Sequence, residues 1–304
     1  MKIVRKTVPS SDGRHTLQGI VYVPDGEIKG LVQVVHGMCE YMGRYEAFMT
    51  FLAENGYLAF GHDHLGHGLT ADPKDWGFIA ERDGWKYLVR DVTEMKQAVV
   101  REYGDKPWYL FGHSMGSFIV RCAAAEGARP CKLIVCGTGG PNPASGAGLL
   151  LCRTIGLLRG RRHVAALVNK MAFGAYNKRF REENDPYAWL SKDLGVRDKY
   201  RVDPMCIFPF TVSAMQDLIT LQARCNKKAA FAAFPQELPV LLIAGTEDPV
   251  GEYGKGVRAV YEALRARGCR VQMKLYDNCR HEILNDTCRE QTRQDVLTFL
   301  AAED

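Results

Sequence analysis

The sequence is notable first for the patterns it lacks. It holds ten cysteines and eight histidines in 304 residues, yet no two cysteines have C-x-x-C spacing and no Cys/His cluster has the spacing of a metal site. A zinc module or a disulfide scaffold is therefore not expected, and the cysteines read as free thiols in a reducing compartment. The longest uncharged run, Leu133–Cys152, is interrupted by Pro141, Pro143 and several glycines. A helix broken in that way would leave unpaired backbone in lipid, so it is not a membrane span. The opening residues, MKIVRKTVPSSDGRH, mix charged and apolar types and contain no apolar core of signal-peptide length, which points to a cytoplasmic protein. No internal repeat or low-complexity linker is present. A net charge of +5 is too mild to imply a nucleic-acid partner.

What is present is an ordinary globular composition, 46% hydrophobic against 25% charged, which excludes disorder. The charge is uneven. Residues 139–234 carry 15 lysines and arginines against 7 acidic residues, whereas the rest of the chain carries 25 against 28. Outside that interval, short apolar runs alternate with helical periodicity. Ile3–Pro9 and His15–Val23 read as a hairpin. GLVQVVHG, YLAFGHDH, PWYLFGHS, KLIVCGT and PVLLIAGT read as buried strands, with helices of ten or more residues between most of them. This alternation predicts an α/β fold with a mostly parallel sheet covered on both faces. The expected organisation is a core of residues 1–138 and 235–304 with a helical cap, 139–234, inserted between strands.

GHSMG (Gly112–Gly116) has the form G-x-S-x-G at a strand-to-helix turn, where a crowded backbone requires glycines beside an exposed serine. Ser114 is the expected nucleophile. In such sites the acid and then the histidine follow the serine along the chain. Only His163 and His281 lie beyond Ser114. His163 sits in GRRH, among arginines that would oppose an imidazolium. His281, just past the last strand, is the expected base. Asp248, in LLIAGTEDPVG after a buried strand, is the expected acid, with Glu247 as the runner-up on position. The oxyanion would be met by two backbone amides: Met115, after the nucleophile, and Met38, in the loop after GLVQVVHG.

With these residues named, the chain resembles the monoglyceride lipase and lysophospholipase branch of the α/β-hydrolase family. The resemblance rests on VVHGMCEYMGRY (Val34–Tyr45), GHDHLGHG (Gly61–Gly68), GHSMG, AGTEDPVG (Ala244–Gly251) and RHEILND (Arg280–Asp286), in the family's order. It implies the same triad and oxyanion amides, and it makes Asp63-His64 and Gly66-His67-Gly68 a structural turn near the site. From the residues alone, those histidines are candidate metal ligands, but no third ligand follows at suitable spacing, and neither metal nor organic cofactor is expected. The chain departs from the family where Cys39 and Ser117 replace glycines and Tyr41 replaces a histidine. Cys279, two residues before His281, could make the enzyme thiol-sensitive.

In the cap, a leucine-rich stretch from Leu149 to Leu158 runs into Arg159, Arg161 and Arg162, a pattern suited to an anionic lipid surface. An ordinary amphipathic cap helix with a solvated basic end shows the same pattern. Leu151, Ile155, Leu158, Phe208 and Phe210 are expected to touch an acyl chain, with Trp189, Met205 and Ile207 adding apolar lining. The function expected is hydrolysis of monoacyl lipid esters, such as a monoacylglycerol or lysophospholipid, through an acyl-enzyme. One alternative is a peptidase of the same fold resembling proline iminopeptidase, in which cap carboxylates such as Glu182 and Glu183 would hold an ammonium group. The other is a catalytically silent lipid- or partner-binding protein.

Overall fold

The computed structural model describes residues 1–302. Eight strands form one sheet in the order β1-β2-β4-β3-β5-β6-β7-β8. The first two, β1 (Lys2–Pro9) and β2 (Thr16–Val23), make an antiparallel hairpin, and β2 pairs antiparallel with β4 (Tyr57–His62). From there the ladder is parallel through β3 (Gly30–Val35), β5 (Trp108–His113), β6 (Lys132–Cys136), β7 (Val240–Gly245) and β8 (Val271–Tyr276). The central strands are apolar on both faces because both faces are covered. Alternate residues serve opposite layers. Val32 and Val34 pack towards α1 (Glu46–Glu54) and α10 (Arg289–Ala301), whereas Leu31 and Val35 pack towards α2 (Gly84–Tyr103) and α3 (Met115–Ala125). Helix α9 (Lys255–Ala266) joins β7 to β8.

Between β6 and β7 lie α4 (Ser145–Arg159), α5 (Ala166–Phe173), α6 (Leu194–Val202), α7 (Val212–Cys225) and α8 (Lys228–Ala233). These helices are not equivalent. Val212, Ala214, Met215 and Leu221 of α7 belong to the same apolar core as Phe118 and Ile119 of α3. Arg121 of α3 donates to the Cys225 carbonyl and to Asn226 Oδ1 at 3.0 and 2.8 Å. Buried Asp217 of α7 reaches the N-terminus of α2, and burial pushes its carboxyl up to about 7. By contrast, α4 and α5 turn Leu150, Leu157, Leu158, Leu167 and Met171 outward. No helix among the described residues is long and apolar enough to cross a membrane.

The cysteines correct one expectation. Cys279 and Cys288 are paired as a disulfide, with their Cα atoms 6.5 Å apart; the other eight are free thiols, most of them buried.

His36, His62, His64 and His67 are all buried beside the loop that follows β3, and they pack ring against ring, with centroids 4.0 Å apart for His36–His64 and 5.2 Å for His62–His64. Among the described residues no group of three or more His, Cys, Asp or Glu could hold a metal ion. The cluster is a neutral packing unit. Burial holds His62 and His67 down at about 4 and His36, also facing His67, at about 3. An unfolded histidine takes up its proton near pH 6.5. The cluster's contribution to stability is therefore complete above that pH and is lost as pH falls towards 4, because only the unfolded chain binds the protons. Asp63, raised by burial to about 6, and Asp217 act in the opposite sense over part of that window. The histidine contribution is isolated by difference. In denaturant titrations between pH 7.5 and 5, His62→Phe should lose stability less steeply than the parent, the slopes diverging below pH 6.5 by up to about 1.4 kcal/mol per pH unit; parallel curves would contradict this account.

Candidate active site

Ser114, Asp248, His281 and Met38 sit on loops at the C-terminal ends of parallel strands, beside the point where the strand order reverses around β3. Ser114 follows β5 in a sharp turn with φ 54° and ψ −120°, held by its N–H to the Cys136 carbonyl at 3.0 Å. The flanking glycines are steric requirements. A Cβ on Gly112 would lie 2.4 Å from the Gly116 carbonyl oxygen, and one on Gly116 would lie 2.1 Å from that of Val35. Ser117, where the family carries glycine, donates its hydroxyl to the Ser114 carbonyl at 2.5 Å. Met115 opens α3, so its N–H has no intrahelical partner.

Asp248 follows β7 and is fully buried. Its Oδ2 lies 3.0 Å from His281 Nδ1, and its Oδ1 accepts the Val250 N–H at 2.8 Å. Neighbouring Glu247 turns away to Lys192, 3.2 Å distant, which separates two residues that position alone could not. The His281 ring lies between His113 and Trp189, with centroids 4.7 and 5.2 Å away. His163, the other histidine beyond Ser114, lies at the far end of α4 and takes no part.

The loop after β3 carries Met38 and turns at Cys39, which takes φ 53° although it is not glycine. Its surroundings hold that conformation. Cys39 Sγ donates to the Phe208 carbonyl at 3.2 Å, and the Tyr200 hydroxyl donates to the Cys39 carbonyl at 3.3 Å. Tyr41, in place of the family's histidine, donates to Asp203 at 2.8 Å. Beneath the loop, Glu40 Oε1 accepts the Gly37 N–H at 3.0 Å and lies 2.9 Å from His113 Nδ1. Burial would lower the His113 imidazole, but the Glu40 carboxylate outweighs it and keeps the ring above its ordinary value. Burial would likewise raise Glu40, but His113 and Arg44 hold it at about 2. His113 Nε2 donates to the His281 carbonyl at 3.3 Å, so the charged pair also supports the candidate base.

Ser114, Met38, Met115 and His281 line one cavity of about 680 Å³. Of the residues expected to meet an acyl chain, only Leu151 lines it. Phe208 and Phe210 pack on His67 instead, Phe210 being fully buried. Ile155 packs against the core, and Leu158 is 78% exposed. Trp189 lines the cavity, but Met205 and Ile207 do not. Sequence reasoning missed the main wall, Met215, Leu218, Ile219 and Gln222 of α7, although their i, i+3, i+4, i+7 spacing marks one helical face. It also missed Glu40, Tyr200 and Glu282 at another part of the lining.

The chain is similar to known proteins in sequence and in fold. The family model described as serine aminopeptidase, S33, matches residues 26–288. The monoglyceride lipase of Mus musculus is 28% identical over 264 residues, 85% of this chain and 77% of that protein. The monoacylglycerol lipase of Mycolicibacterium smegmatis is 25% identical over 308 residues, 97% of this chain and 99% of its own. A thermostable carboxyl esterase from Bacillus coagulans, solved in complex with glycerol, has a TM-score of 0.92 at 30% identity, covering 99% of this chain and 98% of that one. The chain therefore belongs to the serine aminopeptidase S33 family of α/β hydrolases, within its monoacylglycerol lipase branch, and is a carboxylic-ester hydrolase.

Proposed function

We propose that the protein cleaves monoacyl lipid esters, monoacylglycerol or lysophospholipid, through an acyl-enzyme on Ser114. His281 removes the Ser114 proton as the hydroxyl attacks the ester carbonyl, and the Met38 and Met115 amides stabilise the oxyanion. Asp248 fixes the imidazole tautomer and stabilises the imidazolium. His281 then protonates the leaving alcohol, and a water activated by the same ring frees the fatty acid. The observation that carries this reading is His281, held 3.0 Å from the buried Asp248 and opening with Ser114 onto one large cavity walled mostly by apolar side chains.

A peptidase reading needs a free carboxylate to hold a substrate ammonium. Glu183 is bound by Arg280 and Arg197, and neither Glu182 nor Glu183 lines the cavity. The two carboxylates that do line it are committed, Glu40 to His113 and Glu282 to Arg44. The ester reading is therefore favoured.

The cap's outer face supports contact with an anionic membrane surface. Leu157 and Leu158 are 88% and 78% exposed, and Arg153, Arg159 and Lys170 are exposed nearby. Met171 is exposed and also lines the cavity, so the apolar face adjoins the cavity's rim. Lipid drawn to that face would have a short path to Ser114.

Three measurements follow. Asp248→Asn should lower kcat about 10⁴-fold in an ester assay, whereas Met38→Leu should be mild because only its amide is used. Turnover should rise from C2 to C8–C16 acyl esters; a steady decline with chain length would defeat the lipid reading. A Leu157→Glu/Leu158→Glu double variant should sediment less with phosphatidylglycerol vesicles while hydrolysing a soluble short-chain ester at the parental rate, and unchanged sedimentation would remove the membrane contact.

A further inference from the structure

The loop that carries His281 is joined to the cap more extensively than to its own strand. Arg280 is 5% exposed. Its guanidinium donates to the Ala188 carbonyl at 2.6 Å, forms a forked pair with both carboxylate oxygens of Glu183, and lies 4.0 Å from the centre of the Phe180 ring. The next two residues continue the junction: the His281 N–H donates to the Trp189 carbonyl at 3.4 Å and the Glu282 N–H to that of Leu190 at 2.8 Å. Asp286 closes it, accepting the Arg280 N–H at 2.7 Å and the Lys192 N–H at 2.9 Å. Residues 183–193 and 279–286 thus form one unit. Within it, Trp189 supplies both a wall for the His281 ring and a partner for the His281 backbone.

We propose that Arg280 is a positioning residue for the base, one that couples the seating of cap segment 183–193 to the orientation of His281. The inference rests on the reading of His281 as general base. An arginine is needed for geometric reasons. Its planar fork spans a carboxylate and a carbonyl at once, which a lysine ammonium cannot do with the same orientation. Without it, residues 188–190 lose the anchor that holds Trp189 against the imidazole. A displacement of about 1 Å in a reacting group is enough to cost 10²-fold in rate. The coupling also has an electrostatic side. Arg280 faces Glu183 from the cap and Glu247, 3.6 Å away, from the loop after β7. Arg197 and Lys192 share those two carboxylates, and His281 itself faces Asp248 and His113. Removing the Arg280 cation leaves the two carboxylates less compensated and favours the imidazolium, and removing the Glu183 charge does the reverse.

The test compares Arg280→Met, Arg280→Lys and Glu183→Gln in the full chain on a soluble short-chain ester, with rates normalised to the sites labelled by a fluorophosphonate carried to completion. Arg280→Met should lower kcat per labelled site about 10–100-fold with KM little changed, and Arg280→Lys should recover only part of the loss. The acid limb of kcat/KM should move to higher pH in Arg280→Met and to lower pH in Glu183→Gln. If Arg280→Met does not fold, the remaining two variants decide by the same criteria. Parental kcat per labelled site and an unmoved acid limb, with only the unfolding temperature reduced, would overturn the inference and leave the base assignment intact. Full activity in His281→Ala would instead overturn the base assignment itself.

Discussion

The buried pair between the Glu40 carboxylate and the His113 imidazole is the interaction on which the rest of the site depends. One partner lies in the loop that carries Met38, the other directly precedes Ser114, and through its second nitrogen the same imidazole supports the carbonyl of His281. Three segments distant in the chain are thereby referred to a single pair of charges. Taking both charges out of water is costly, and the compensation is their mutual attraction together with the Gly37 N–H, the Tyr45 hydroxyl and Arg44. Arg44 extends the network to Glu282 at 2.5 Å, beside the candidate base. Such an arrangement tolerates little drift, because losing either member leaves an uncompensated charge in the interior.

Sterics supply the other half of the preorganisation. The turn at Ser114 is so tight that a side chain at Gly112 would strike the Gly116 carbonyl, and one at Gly116 would strike the Val35 carbonyl of β3. At Cys39 the opposite solution is used: a residue ill-suited to positive φ is held there by bonds from the inserted segment, through Tyr200 and the Phe208 carbonyl. The insertion thus supports the loop that carries Met38 on one side and the loop that carries His281 on the other.

The sequence makes legible whatever is fixed by close approach or chain order. Apolar runs between glycines identify the parallel strands, since strands buried on both faces admit few other residues. The turn at Ser114 is legible because backbone crowding dictates its glycines, and chain order singles out Asp248 and His281, whose side chains meet at 3.0 Å. The cavity wall was not legible for a physical reason. An apolar helical face identifies a buried side, but nothing local distinguishes burial against a core from burial against an empty pocket. Phe208 and Phe210 fell on the first side of that ambiguity, Met215 and Leu218 on the second. The Cys279–Cys288 pair was equally hidden, since nine residues of separation correspond to no local motif and only the fold of the loop brings the sulfurs together. The ionic partners Glu282 and Arg44, 238 positions apart, are likewise invisible to any local reading.

Helix α7 carries an implication for how this architecture could be altered. Its inner side chains complete the packing of α3, and its aspartate occupies the start of α2. A lidless version made by excising everything between β6 and β7 would strip the flank of the helix that begins just after Ser114 and leave greasy surface in water. Helices α4 and α5 turn leucines outward but also pack Cys152, Ile155 and Val168 into that same core, so transplanting selectivity from another hydrolase would mean exchanging those two helices with inner faces matched to the retained α7.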